Sequence, residues 1–332
     1  MKSTRLIFIF FLFITISFIS CTFFDKQHIV FKDDFKALRL GPLSLADGAH
    51  TEYHYLHHLG PQGNWAVSNF RSGSRQNSWF IRDEGNNRII YQKHIHKSPL
   101  SYKPMVVAGD NLWKDYRIKV SFAPEGKSMQ AGFAFRYRND RCYYFFGVEG
   151  SRAILKVVHH EKDFLIPDER ILAEVDFSWN EGEYLEGWAE VSGQKIKAGF
   201  TGGPEFEVND TTYFAGKIAL VANVPCRFKH VVVTMKQKAM LKFENARHEY
   251  GLEEKSLQNA NPRMVLWKKI QTSDFGAGRN VRFGDLNNDG EIDVLIGQVI
   301  HHGPKDRNSE LSCLTAITFD GEILWRIGRP DP

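Results

Sequence analysis

Cysteine is scarce in this chain, with four in 332 residues at positions 21, 142, 226 and 313. They are far apart and no C-x-x-C occurs, which excludes a disulfide framework, a zinc ribbon and a thioredoxin-type redox site. Concentrated positive charge is missing too: the formal net charge is only +4, and no run of Lys or Arg exceeds a pair. That excludes the basic footprint of a nucleic-acid binder, so nucleic acid is not expected as a partner. No apolar run reaches the ~20 residues that span a bilayer; the run at the start, Leu6–Ile19, stops short. Sustained helical periodicity is absent from Ile29 to about Gln237.

What is present begins with a leader. Lys2 and Arg5 precede the uncharged apolar run, and Ser20 and Cys21 follow it. A charged n-region before a short h-region is the layout of a secretory signal. Residues 1–20 are therefore read as an export signal and set aside from the fold. Ser20-Cys21 resembles a bacterial lipobox, which implies acylation of Cys21 and a lipoprotein held in the periplasm or at the cell surface by its lipid alone. The alternative is ordinary signal-peptidase cleavage nearby. The remainder, with 42% hydrophobic and 25% charged residues over the whole chain, has the composition of a soluble globular protein with room for two domains. Cys142 and Cys226 both fall in strand-like runs, and their pairing is left open.

From Ile29 onward the texture is β. Tyr116-Arg-Ile-Lys-Val-Ser-Phe122 alternates apolar and polar residues with period two. Ala131–Tyr137 and Tyr143–Val148 read as the next strands, split by the turn-forming Asn139-Asp140. Ala153–Val158, Trp188–Val191, Lys195–Ala198, Gly216–Val221 and Phe228–Thr234 continue the series. Short strands punctuated by Gly, Asn, Asp and Pro predict an antiparallel sandwich or barrel, with alternation recording one packed and one wet face. The expected fold class is all-β.

The order of these segments resembles the concanavalin A-like lectin/glucanase (LamG-type) family. Phe31-Lys-Asp-Asp-Phe35 matches its opening strand, Leu112–Ile118 and Ala131–Tyr137 its middle, and Gly216–Val221 with Phe228–Val233 its closing pair. The resemblance covers most of residues 29–237 and implies an antiparallel jelly-roll β-sandwich. Such domains are commonly sugar-binding modules attached to glycan-degrading enzymes, and some members are enzymes themselves.

Residues 238–261 are polar and charged, with room for a short helix, and read as a linker ended by Asn261-Pro262. Beyond it, Met264–Ile270 is echoed by Gly321–Ile327, with Leu266-Trp267 aligning on Leu324-Trp325 at an offset of 58 residues. A spacing of that order suits a propeller blade with a loop insertion. Between the two lies Phe283-Gly-Asp-Leu-Asn-Asn-Asp-Gly-Glu-Ile-Asp293. Asp285, Asn287 and Asp289 alternate, so a tight loop can turn three oxygen-bearing side chains inward. Gly290 permits the turn that lets Glu291 offer its carbonyl, and Asp293 adds a carboxylate. Ca²⁺ takes about six to eight oxygens at roughly 2.3–2.6 Å, which this spacing supplies. An EF-hand would place Glu where Ile296 stands; here Ile292–Ile296 reads as a strand instead. The alternative is an Asn/Asp/Gly hairpin that binds nothing.

Phe283-Gly284-Asp285 opening such a loop resembles the FG-GAP repeat of β-propellers. The stretch through Leu314–Ile327 resembles the first blade of propeller-type rhamnogalacturonan and rhamnose–glucuronate lyases, over about residues 262–332. The resemblance implies structural calcium and β-elimination on a plant or microbial polysaccharide containing uronic acid, such as pectin or gum. Residues 241–332 number 92, enough for at most two of the ~4–8 blades that close a propeller. The expectation is an incomplete β-propeller segment and, with it, an incomplete active site.

β-Elimination needs a group that neutralises the uronate carboxylate and a base for the C5 proton. His301, His302, Lys305 and Arg307 follow the strand after the calcium loop and are the catalytic candidates, against a solvated loop. For sugar binding without catalysis, Trp113, Tyr143 and Trp179 offer rings to stack, and Arg136 and Arg138 cations for acidic sugars. The competing reading for each is core packing or an ordinary wet-face charge. A lyase fragment and a non-catalytic carbohydrate-binding module are thus the two main readings. A glycosidase ranks last, because no compact E-x-D-x-x-E places paired carboxylates on one strand. His57, His58, His94, His96, His159 and His160 suggest no evident zinc triad.

Overall fold

The computed structural model describes residues 26–43, 63–68, 78–95, 103–161, 167–261, 263–272, 274–276, 280–300 and 310–330. The leader, Cys21, His301, His302, Lys305 and Arg307 lie outside the described residues. The chain divides into two compact units, residues 1–256 and 257–332.

Among the described residues the larger unit is all-β up to its last segment. Its first strands are β1 (Gln27–Asp33), β2 (Gly41–Pro42), β3 (Ala66–Ser68), β4 (Trp79–Glu84), β5 (Asn87–Gln92), β6 (Met105–Ala108), β7 (Tyr116–Pro124) and β8 (Gln130–Asn139). They continue as β9 (Cys142–Glu149), β10 (Arg152–His159), β11 (Asp168–Asp176), β12 (Leu185–Ser192), β13 (Lys195–Phe200), β14 (Glu205–Asn209), β15 (Lys217–Ala222) and β16 (Cys226–Lys236). One sheet has nine strands, in the order β14-β13-β12-β7-β16-β5-β4-β2, with β1 also on β16. The other has seven, in the order β11-β10-β9-β8-β15-β6-β3. Every pairing is antiparallel, and the result is a jelly-roll β-sandwich.

The length of β16 explains how nine strands share one sheet. It pairs with β7 along one edge, while its other edge takes β5 at Cys226–Phe228 and β1 at Val231–Lys236. Alternation decides which residues enter the core. Ala153, Leu155 and Val157 of β10 join Phe133 and Phe135 of β8 and Tyr144 and Phe146 of β9 between the sheets. Ile118, Val120 and Phe122 of β7 meet them from the nine-stranded side. Burying each such side chain contributes about 1.5–3 kcal/mol. A second buried cluster occupies the opposite face of the seven-stranded sheet, with Tyr137, Tyr143, Phe145, Met105 and Val107 among its members. Turn chemistry fixes the register between β12 and β13. Gly193 adopts φ 55°, which a residue without Cβ takes freely, and its N–H is held by Asp115 Oδ1 at 2.8 Å.

The segment read as a linker is a helix, α1 (Gln237–Ala260), 24 residues long. Ala239, Met240 and Phe243 pack against the sandwich core, and this tertiary contact extends a helix expected only to be short. Strands β2, β3, β4, β5, β6, β11 and β14, not anticipated from the sequence, complete the two sheets. Cys142 and Cys226 are free thiols, so the question of their pairing is answered in the negative.

The smaller unit is a four-stranded antiparallel sheet of β17 (Asn280–Gly284), β18 (Asp293–Ile300), β19 (Glu310–Ile317) and β20 (Ile323–Gly328), in that order. Phe275, Val294, Ile296 and Ile317 form its small core. The two echoed segments differ in structure. Ile323–Gly328 pairs with β19, whereas Met264–Ile270 forms no strand and leaves Met264, Val265, Leu266 and Trp267 exposed. The same pattern becomes a strand only where a neighbouring edge completes its hydrogen bonds.

Candidate functional site

The four residues expected to bind sugar on the sandwich are all buried. Trp113, Tyr143, Trp179 and Arg136 are 3%, 1%, 4% and 0% exposed. Trp113 packs with Phe31 and Tyr116 in the main core, and its ring lies where a Cβ on Gly109 would fall. Trp179 donates its indole N–H to the Gly150 carbonyl at 3.0 Å. Arg136 sits in the left-handed region at φ 46°, and its guanidinium donates to the carbonyls of Tyr213, Lys114 and Gly193 at 2.9, 3.1 and 2.8 Å. Burial holds its pKa below the ordinary arginine value. These contacts correct the expectation: each ring face and the guanidinium are committed to the fold. Arg138 lies over the Tyr213 ring at 5.9 Å instead of beside a free aromatic.

Tyr143 nevertheless marks a place where chemistry collects. Residues that alternate with the core on β8, β9 and β10 put Gln130, Glu149, Tyr143, Phe145 and Lys156 on the outer face of the seven-stranded sheet. Glu169 of β11 pairs opposite Val158 on the same face, and Lys103 precedes β6. Lys156 Nζ lies 2.8 Å from Glu169 Oε2 and 3.2 Å from Glu149 Oε2, and 5.3 Å from the Phe145 ring centre. Lys103 Nζ bonds the other oxygen of Glu169 and reaches Gln130 Oε1 at 3.4 Å. The Gln130 amide nitrogen is buried with no hydrogen-bond partner. Gly132 and Gly147 face each other across β8 and β9, where a Cβ would meet backbone oxygen at 2.3 and 2.2 Å, so that strip of sheet carries no side chains.

The electrostatics follow from two buried ammonium groups beside two partly exposed carboxylates. Burial, reinforced by Lys156, pushes Lys103 down to about 8 in spite of Glu169. For Glu169, burial acts upward but the two lysines outweigh it and hold the carboxyl at about 2. Burial also raises Tyr143 well above the ordinary phenol, with Glu169 adding to it. Glu169 is thus a fixed hydrogen-bond acceptor and a poor proton donor. Sequence reading passed over this group. Its one legible trace was Lys156, a lone charge inside Ala153-Ile-Leu-Lys-Val-Val158.

In the smaller unit the acidic loop is wound on its own backbone. Asp285 accepts N–H bonds from Asn288, Asp289 and Gly290 at 2.6, 3.1 and 2.9 Å, which lowers its pKa, with the Gly290 bond leading. Asp289 accepts from Glu291 at 2.8 Å, and Asn287 from Asp289 at 3.0 Å. Asp293 is buried and accepts from Leu286 at 2.9 Å. Asn288 and Gly290, at φ 66° and 89°, tighten the turn. Among the described residues no three His, Cys, Asp or Glu side chains gather around a common metal position, here or around His94, His159 and His160.

No family model matches the chain, and no curated protein matches it. Among solved structures it is similar to carbohydrate-binding module CBM66 from Bacillus subtilis, at 11% identity and TM-score 0.41 over 52% of this chain and 96% of that one. Domain 4 of AbnA, a GH43 extracellular arabinanase from Geobacillus stearothermophilus in complex with arabinotriose, is similar at 12% identity and TM-score 0.39, over 64% and 94%. LamAcat from Zobellia galactanivorans is similar at 10% identity and TM-score 0.40, over 62% and 97%. At these values the likeness reaches no further than a β-sandwich layout.

Proposed function

We propose that the sandwich binds carbohydrate on the outer face of its seven-stranded sheet, and that it does so as a non-catalytic module. The observation that carries this reading is the Lys103–Glu169–Lys156–Glu149 network beside Tyr143 and Phe145, with the Gln130 amide unpartnered among them. Saccharide recognition needs fixed donors and acceptors for ring hydroxyls next to flat apolar surface. This face holds the fixed donors and acceptors, with the buried rings of Tyr143 and Phe145 packed beneath them. A carboxyl kept at about 2 does not supply the proton a glycosidase needs, so hydrolysis is disfavoured at Glu169.

The remaining parts of the reading are an export signal at residues 1–20, a lipid on Cys21, and a periplasmic or cell-surface location. The smaller unit is assigned as an FG-GAP-type blade akin to those of the rhamnogalacturonan and rhamnose–glucuronate lyases. Its loop suits a hard cation. Asp285, Asn287, Asp289 and Asp293 with the Glu291 carbonyl form an all-oxygen donor set, and the buried Asp293 has no cationic partner among the described residues. Ca²⁺ would supply that countercharge, and the side chains now bonded to N–H groups would turn toward it.

The test is titration of the chain with pectin, gum and neutral-glucan oligomers, comparing the native protein with Gln130→Leu while following the ultraviolet absorbance of any unsaturated product. Gln130→Leu removes the unpartnered amide without stranding a charge, so the fold is retained. Affinity is expected to fall about tenfold, as for loss of one well-placed polar contact. Undiminished binding by the variant would place the sugar elsewhere. Product formation would favour elimination, for which Lys103, partly neutral near pH 8, is the available base.

A further inference from the structure

Where α1 leaves the sandwich, two cavities of about 280 and 290 Å³ lie along its first turns and share Asp115, Ala239 and Lys242. Their floor is apolar, from Leu112, Met235, Phe243 and Val191. Their rim is cationic, with Lys114, Arg117, Lys236, Lys238 and Lys242 against only Asp115 and Glu190. Both acids are already engaged. Glu190 takes Arg117 at 3.1 Å and Lys236 at 3.8 Å, and Asp115 accepts the Gly193 N–H at 2.8 Å.

Lys114, Lys238 and Lys242 form no ion pair among the described residues. Lys238 and Lys242 stand four apart on one helix face, where like charges repel. The first turn of α1 has no acid to offset them. Arg117 adds a buried Nε with no hydrogen-bond partner. A cationic rim that repels itself over an apolar floor is stabilised by an oxyanion attached to a body that can lie on that floor.

We infer that this groove binds an anionic oligosaccharide, with a ring carboxylate or sulfate at Lys238, Lys242 and Arg117 and the apolar edge of the sugar on Phe243 and Ala246. The inference rests on the carbohydrate reading above and gives it a second, charge-selective subsite on the nine-stranded side, where β7, β12 and β16 meet α1.

The experiment is calorimetric titration of the full chain and its K238E/K242E variant with an oligogalacturonate, a sulfated galactan oligomer, a neutral xylo-oligomer and inorganic sulfate. Both substitutions are on exposed helix positions, and circular dichroism confirms the fold. The variant is expected to bind the oligogalacturonate, the sulfated oligomer, or both at least about tenfold more weakly, with neutral-oligomer affinity unchanged. Which charged oligomer responds tells carboxylate from sulfate. Equal affinity of both proteins for the charged oligomers, with the neutral one still binding, overturns the groove assignment alone. Inorganic sulfate matching the charged oligomers overturns the saccharide and leaves an anion site. No binding of any saccharide overturns this inference together with the carbohydrate reading.

Discussion

Arg136 and Trp113 read from the sequence as surface groups facing a ligand, yet they frame the sandwich. Arg136 pays no penalty in unmet donors at its two terminal nitrogens because three carbonyls from separate loops converge on them, and this convergence holds its backbone at φ 46°. None of the three partner loops is near Arg136 in sequence, so nothing local announced the burial. At Lys103 and Glu169 the same proximity becomes measurable as pH dependence. Glu169 is held at about 2, below its unfolded value of 4.5, so its stabilisation is complete above about pH 4.5 and disappears as pH falls toward 2. Lys103 is held at about 8, below its unfolded value of 10.5. Between those values the unfolded chain carries the extra proton, and stability rises with pH. Urea unfolding of the native protein is therefore expected to show an acid limb from Glu169, its depth reduced by solvent screening of the part-exposed carboxylate. In Glu169→Gln that limb flattens, even if the variant is less stable throughout. Identical acid slopes would remove Glu169 from the account.

At the scale of elements, alternation located β7, while strand-like runs bounded by turn residues located β8, β9, β10, β12, β13, β15 and β16; of these β8, β9, β10 and β15 are buried on both faces. The edge strand β11 was missed because its burial does not alternate, and β14 was missed although Glu205-Phe-Glu-Val-Asn209 does alternate. Helix α1 was underestimated for a related reason. Gly251 interrupts it at a cost of about 1 kcal/mol, and its contacts with the core come from only Ala239, Met240 and Phe243. The β17–β18 connection was legible as a tight acidic loop from spacing alone, while its hydrogen bonding was not. Isothermal titration of the chain with Ca²⁺ is expected to show one binding event that Asp285→Ala and Asp289→Ala abolish. Asp285→Ala also removes the acceptor of three N–H groups, so Asp289→Ala is the cleaner variant. No heat in the native protein would leave the loop as a self-satisfied turn.

The whole molecule is two compact units of unequal size, a sandwich with a deep core and a single four-stranded sheet with a small one. Differential scanning calorimetry is expected to resolve two transitions, with Ca²⁺ raising the midpoint of only the smaller one. A single transition that calcium shifts as a whole would mean the units unfold together. The fold class, the change of texture near residue 238 and the spacing of the acidic loop were determined by the sequence itself, since period, composition and short-range spacing are local quantities. Which rings are core and which charges meet was decided only by tertiary structure. Lys103, Gln130, Lys156 and Glu169 are separated by up to 66 residues in the chain and come together because β6, β8, β10 and β11 belong to one sheet. The groove beside α1 arises in the same way, from a helix laid against β7, β12 and β16, because burial and charge proximity depend on strand order, which no local pattern encodes.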